Sequence, residues 1–190
     1  MSLRGFFKKL PVIETENYIL REITLDDADD YGKCIADEKT YKYWGYKMTE
    51  EEKSVIGKIR YNKLAREKHS ELVWGICDRK TGKIIGEFLL FHFKGTREKP
   101  QVLAEIGYRI SPEMWGKGVA GEVIGGAVKY IFENTRLEKL SATVIKDNEA
   151  SRKALLKNGF QTEGLIRHGK VYEVIADYYL LGILRDEVVL

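Results

Sequence analysis

The chain has little of what would tie it to a metal, a disulfide framework, a membrane or a nucleic acid. Its two cysteines, Cys34 and Cys77, fit neither a metal-ligand spacing nor a disulfide pattern, so both are expected as buried thiols and no metal is expected. No apolar run approaches the ~20 residues of a spanning helix. Phe6-Phe7, set among Arg4, Lys8 and Lys9, is too short for a signal-peptide core, so no membrane is expected and a cytoplasmic location is. An excess of one charge is missing as well. The 32 basic side chains against 29 acidic ones leave +3, which makes no case for a nucleic-acid partner despite a pI of 8.7. No repeat or linker divides the chain, and 190 residues with 44% hydrophobic content support one domain over 1–190 with a substantial core. Monomer and homodimer stay equally open.

What is present is a regular alternation of short elements. Tyr18 to Leu20 reads as a strand, and Thr24 with Asp27 forms a capping box for a helix whose Ala28, Tyr31 and Ile35 share a face. Thr49 with Glu52 opens a second helix, with Val55, Ile56, Ile59 and Leu64 as its apolar stripe. Glu71 to Cys77 and Ile84 to Phe93 are antiparallel strands around a turn containing Gly82. A polar loop with Pro100 precedes a further strand. Lys139 to Ile145 is a strand, Glu149 to Asn158 a helix, and Phe160 to Leu184 two strands around a turn near Gly169. By topology this is α/β or mixed α+β.

The chemistry concentrates between Glu105 and Val128, where a strand passes through a glycine-rich turn into a helix. Gly116, Gly118 and Gly121 let the backbone approach a bulky ligand, and free N–H groups opening the helix suit an anion such as a phosphate. A P-loop is excluded because Lys117 is followed by Gly118 and Val119 rather than Ser or Thr. A dinucleotide fingerprint lacks its βαβ frame and distant acid.

Trp115-Gly116-Lys117-Gly118-Val119-Ala120 resembles motif A of the GNAT acetyltransferase superfamily, Gln/Arg-x-x-Gly-x-Gly/Ala, with Trp115 in a form similar to the ribosomal-protein (RimJ/RimL-type) branch. Thr15 to Tyr31 resembles that branch's opening strand and first helix. Lys146 to Gly164 resembles motif B, and Ala176 to Leu181 its closing strand. The resemblance implies a twisted mixed sheet whose fourth and fifth strands splay apart, with helices on both faces. It also implies acetyl-coenzyme A as co-substrate, its pyrophosphate held by residues 115–121, and an amine acceptor, either a protein N-terminus or a small amine such as a polyamine or aminoglycoside. A coenzyme-binding sensor without turnover is the non-enzymatic alternative.

Acetyl transfer needs a neutral amine, a stabilised oxyanion and a proton for the departing thiolate. Glu105 is the candidate base, otherwise an exposed strand charge. Ser151 is placed at the coenzyme sulfur and Asn148 at the pantetheine amide, and both also suit a helix cap. The family's frequent tyrosine in this helix has no counterpart, since Ala154, Leu155 and Leu156 fill the stretch. The N–H of Ile106 or Tyr108 is the candidate oxyanion donor. Lys117 adds charge for the pyrophosphate, while Arg152 and Lys153 fit either the adenosine phosphates or a solvated helix face. Tyr41, Tyr43, Trp44 and Tyr46, with Glu87 and His92, are candidates for the acceptor's pocket, or else aromatics packing helices onto the sheet.

Overall fold

The computed structural model describes residues 3–44, 54–98 and 101–188. In chain order the elements are α1 (Leu3–Lys8), β1 (Ile13–Glu14), β2 (Tyr18–Arg21), α2 (Ala28–Ala36) and α3 (Val55–Glu67). They continue with β3 (Glu71–Asp78), β4 (Ile84–Lys94), β5 (Leu103–Ile110), α4 (Val119–Asn134), β6 (Lys139–Ile145), α5 (Glu149–Lys157), β7 (Gln161–Val171) and β8 (Val174–Leu184). Eight strands form one sheet in the order β1-β2-β3-β4-β5-β6-β8-β7. Among the described strands, only β5 and β6 run parallel.

That parallel pair builds the site. Its register covers Leu103↔Lys139, Ala104↔Leu140 and Glu105↔Ser141 and then stops, although β5 runs on to Ile110 and β6 to Ile145. The strands therefore part after Glu105. This is the expected splay, displaced by one in strand number because the short β1 precedes the strands read from sequence.

Alternation along the strands divides the core between two faces. Leu72, Trp74, Ile76, Phe88, Leu90, Ala104 and Ile106 pack with α1 and α4, while Val73, Leu89 and Phe91 pack with Tyr31 and Ile35 of α2. The first helix was not anticipated. Phe6 and Phe7 are its reason: both are buried, and Phe6 meets Trp74 edge-on at 6.4 Å. Gly125 and Gly126 let α4 pack closely, since a Cβ would lie 2.7 Å from Asn158 Oδ1 at the first and 2.4 Å from Thr15 Cγ2 at the second. Arg185 closes the far end of α4 by donating to the carbonyls of Phe132, Thr135 and Leu137.

Two local expectations need correction, and a third falls outside the described residues. Thr49 and Glu52 lie outside the described residues, and Ser54 caps α3 by accepting from the Gly57 N–H at 3.3 Å. The α3 stripe is rotated: Ile56 and Leu64 are exposed, while Lys58 is buried with its ammonium 4.8 Å from the Tyr61 ring. The last hairpin turns at Tyr172, with φ of 53°, rather than near Gly169, which lies inside β7 where a Cβ would meet Ile166 and Tyr178 at 2.7 Å. Both cysteines are buried free thiols, and burial pushes Cys34 up to about 11.

Candidate active site

The gap between β5 and β6 opens into a cleft of about 690 Å³ that runs through the sheet. One end is the glycine turn. Gly116 and Gly118 have φ of 73° and 82°, the left-handed region, and a Cβ at either would point into open space. Gly121 is helical and equally open. Gly118 caps α4, whose first intrahelical bond in this turn runs from the Glu122 N–H to the Gly118 carbonyl. The amides of Val119, Ala120 and Gly121 thus open the helix beside the cleft, ready for an anion.

The surrounding side chains hold this turn in place. Trp115 donates its indole N–H to the Ile110 carbonyl at 2.7 Å, clipping the turn to the end of β5. Glu122 accepts from Thr15 Oγ1 at 2.6 Å and from both Asn17 nitrogens, tying α4 to the turn before β2. Burial works against its charge, yet these donors hold its carboxyl below the usual carboxylate range. Lys117 is exposed, with Nζ 3.8 Å from Met114 Sδ.

The two faces of β5 serve the two ends of the cleft. The Ser111 N–H bonds the Ile85 carbonyl on β4, so alternation directs the amides of Ile106 and Tyr108 toward β6. Ile106 stands at the end of the registered ladder. Tyr108 lies beyond it, in the gap, which makes its N–H the better placed of the two candidate oxyanion donors.

On the α4 side, Tyr108 Oη lies 2.7 Å from Ser151 Oγ. Burial pushes the phenol up to about 12, so it keeps its proton at neutral pH. Asn148 caps α5, its Oδ1 accepting from the Ser151 N–H at 3.2 Å, so both residues stand at the cleft wall and serve the helix too. A tyrosine from β5 thus stands against α5, which has none of its own in Ala154, Leu155 and Leu156. Sequence reading missed the pair because 43 positions separate its members. Lys153 lines the cleft, whereas Arg152 stacks on Tyr179 at 4.6 Å.

On the opposite face lie Glu105, Gly107 and Arg109. Tyr43, Trp44 and Phe91 wall this end, and a Cβ at Gly107 would meet Phe91 at 3.2 Å and Trp44 at 3.6 Å. Tyr41 and Trp44 lie over the Arg109 guanidinium at 4.6 and 5.0 Å. Tyr46 lies outside the described residues. Glu105 Oε2 meets His92 Nδ1 at 3.0 Å, a contact the sequence did not foretell.

Glu87 departs from its expected place. It is fully buried, accepting from Tyr31 Oη at 2.5 Å and from Arg109, so its carboxylate faces no acceptor. Burial disfavours its charge, but Arg109 outweighs that and holds the carboxyl below the ordinary range. Arg109 is correspondingly held protonated.

No helix among the described residues is long and apolar enough to cross a membrane, and no described cluster of His, Cys, Asp or Glu has a metal-binding arrangement. Residues 17–161 match the family model described as an acetyltransferase (GNAT) domain. The chain is 39% identical over 158 residues to the uncharacterized N-acetyltransferase YoaA of Bacillus subtilis, covering 83% of this chain and 86% of that protein. Among solved structures, the ribosomal-protein-S5-alanine acetyltransferase of Vibrio fischeri superposes with a TM-score of 0.78 at 22% identity, covering 93% of this chain and 97% of that one. The spermidine N-acetyltransferase of Vibrio cholerae, solved with CoA and spermine, gives 0.75 at 21% identity over 90% and 97%. A glycine turn beside a parting strand pair fits the phosphates and arm of coenzyme A, and with these matches it places the chain in the GNAT family, as an acetyl-coenzyme A-dependent N-acetyltransferase.

Proposed function

We infer that the acceptor is a protein or peptide N-terminal α-amine. The observation that carries this reading is the charge of the acceptor end, where the described lining residues include one carboxylate, Glu105, alongside Lys39, while the charge of Arg109 is already matched by buried Glu87. A polyamine brings several positive charges and calls for several carboxylates. A single ammonium attached to a peptide calls for one. An α-amine, at a pKa of roughly 7.7–8.0, also needs little help to shed its proton near neutral pH, whereas a lysine-type amine at about 10.4 needs much more.

The site then divides the work. Residues 115–121 hold the pyrophosphate, and Asn148 the pantetheine arm. The Tyr108 N–H faces the thioester carbonyl, and Ser151, with the Tyr108 hydroxyl behind it, delivers a proton to the departing sulfur. Tyr43 and Trp44 flank the acceptor, whose proton leaves at the Glu105 end. Holding amine and thioester in line contributes the rest.

A competition assay tests the acceptor. Peptides with free N-termini, spermidine and an aminoglycoside are mixed with enzyme and acetyl-coenzyme A, and products are read by mass spectrometry. Peptides acetylated at the α-amine should dominate, and preferential acetylation of spermidine or the aminoglycoside would overturn the reading. Gly118→Asp tests the coenzyme end. It sets a side chain at positive φ and a negative charge against the phosphates, so calorimetry on the folded variant should show acetyl-coenzyme A affinity reduced about tenfold or more, in line with ~1.4 kcal/mol per decade. Unchanged affinity would move the pyrophosphate elsewhere.

A further inference from the structure

We propose that the acceptor's proton leaves through the His92 imidazole, with Glu105 as the residue that orients the ring. The inference rests on the acetyltransferase activity and refines the base assigned to the Glu105 end. Three histidines of this chain have left-handed backbones, and they use them differently. His69 stacks on Phe7 at 4.5 Å, and the His168 N–H donates to Asp177 at 2.9 Å. His92, with φ of 50°, sits in the irregularity between Phe91 and Lys94 where β4 loses register with β5, and its ring meets the carboxylate of Glu105. A non-glycine residue held there costs free energy that the surrounding structure must offset, and such strain gathers at functional sites.

Accessibility orders the pair. Glu105 lines the cleft and His92 does not; the His92 side chain is 53% exposed against 18% for Glu105, so the imidazole stands at the outer rim, between the cleft and bulk solvent, where an arriving group meets it first. A carboxylate only accepts. The Nδ1–H therefore points at Glu105 Oε2, which leaves the Nε2 lone pair outward to take a proton. The ring packs edge-on against Phe91, a wall of the acceptor end, at 4.6 Å between centroids.

The step balances. At the rim the arriving ammonium gives one proton to His92 Nε2, and the neutral nitrogen then moves into the cleft and attacks the acetyl carbonyl. The C–N bond forms and the C–S bond breaks, the sulfur keeping the electron pair. The second nitrogen proton is released as the amide forms, the sulfur takes one through Ser151, and His92 returns its own to water.

The test compares His92→Asn with Glu105→Gln in the full-length enzyme. Asparagine tolerates the left-handed backbone, so the first variant removes the imidazole and spares the fold. With an alanine-led hexapeptide or spermidine as acceptor, His92→Asn should lower kcat at neutral pH by about a hundredfold or more, with little change in the KM for acetyl-coenzyme A. Glu105→Gln should lower it less, because the imidazole stays and loses only the carboxylate that orients it. Long-range nitrogen-15 NMR should show His92 as the Nδ1–H tautomer in the parent, and a mixture of tautomers in Glu105→Gln. Parental turnover in His92→Asn beside a large loss in Glu105→Gln would make Glu105 the direct base and overturn the inference, as would parental turnover in both. An enzyme that acetylates spermidine alone would sink the α-amine reading while leaving the His92 comparison intact. If neither probe is acetylated, the NMR arm decides, and an Nε2–H tautomer overturns the pair.

Discussion

Glu87 and Glu105 stand on neighbouring antiparallel strands, face the same side of the sheet and have opposite surroundings. Glu87 lies directly across from Arg109 in the ladder and under Tyr31, with no exposure at all. Glu105 lies two residues from Gly107, beside the point where β5 and β6 part, with one oxygen on a half-exposed histidine. From sequence both were acids close to the acceptor. What separates them is their partners: a guanidinium and a phenol that spend the first carboxylate on holding the fold together, against an imidazole and an open cleft that leave the second available for chemistry. Stability should therefore respond to Glu87 and catalysis to Glu105.

The strongest way to break this contrast is Glu87→Gln. It leaves the Arg109 charge buried without its counterion, and Arg109 Nε and Nη1 already lack hydrogen-bond partners, so the variant has little with which to compensate. Removing one partner of a buried pair costs about 3–5 kcal/mol, and denaturant unfolding should show a loss in that range. Replacing both members, Glu87→Leu with Arg109→Met, should recover most of it, since two charges no longer need to leave water. The sign with pH follows from the depressed carboxyl of Glu87. Its contribution is present above the ordinary carboxylate range and is lost as pH falls through the lower folded value, so the gap between parent and Glu87→Gln should narrow in acid. A gap independent of pH down to unfolding would mean that the pair is not ionised in the native state.

Tyr31→Phe is the milder version. It removes one donor, Oη to Glu87 at 2.5 Å, and keeps the ring that packs α2 onto the sheet. Hydrogen bonds to a charged group contribute about 1.5–3 kcal/mol, so the loss should fall there, below that of Glu87→Gln. A loss under about 0.5 kcal/mol would show that Arg109 alone satisfies the carboxylate.

How much of this was legible depended on whether the information was local. Gly116 and Gly118 announced the turn because positive φ leaves a chemical signature, and Thr24 with Asp27 announced the 3-10 turn over Leu25–Asp27 that leads into α2, with the Thr24 N–H donating to Asp27 at 2.8 Å. The hairpin at Gly82, with φ of 72°, was equally readable. Strand alternation separates Glu105 from Tyr108 but names no partner for either. Hence the Tyr108–Ser151 and His92–Glu105 contacts stayed hidden, as did the burial of Glu87, which depends on Arg109 standing across the ladder and Tyr31 above it. Gly169 misled for a related reason. Its missing side chain makes room for Ile166 and Tyr178 inside a strand, a packing need that in sequence looks like a turn.

The smallest expected effect is also the sharpest side of the comparison. Glu105→Gln keeps the shape of the side chain, and its partner is a half-exposed histidine rather than a buried cation, so no charge is stranded away from water. Exposed or partly exposed pairs contribute little, typically 0–1 kcal/mol, and denaturant unfolding should place this variant within about 0.5 kcal/mol of the parent. A loss approaching that of Glu87→Gln would mean that Glu105 anchors the end of the parallel ladder near Ser141. The division of labour between the two glutamates would then fail, because the residue assigned to catalysis would be holding the cleft open as well.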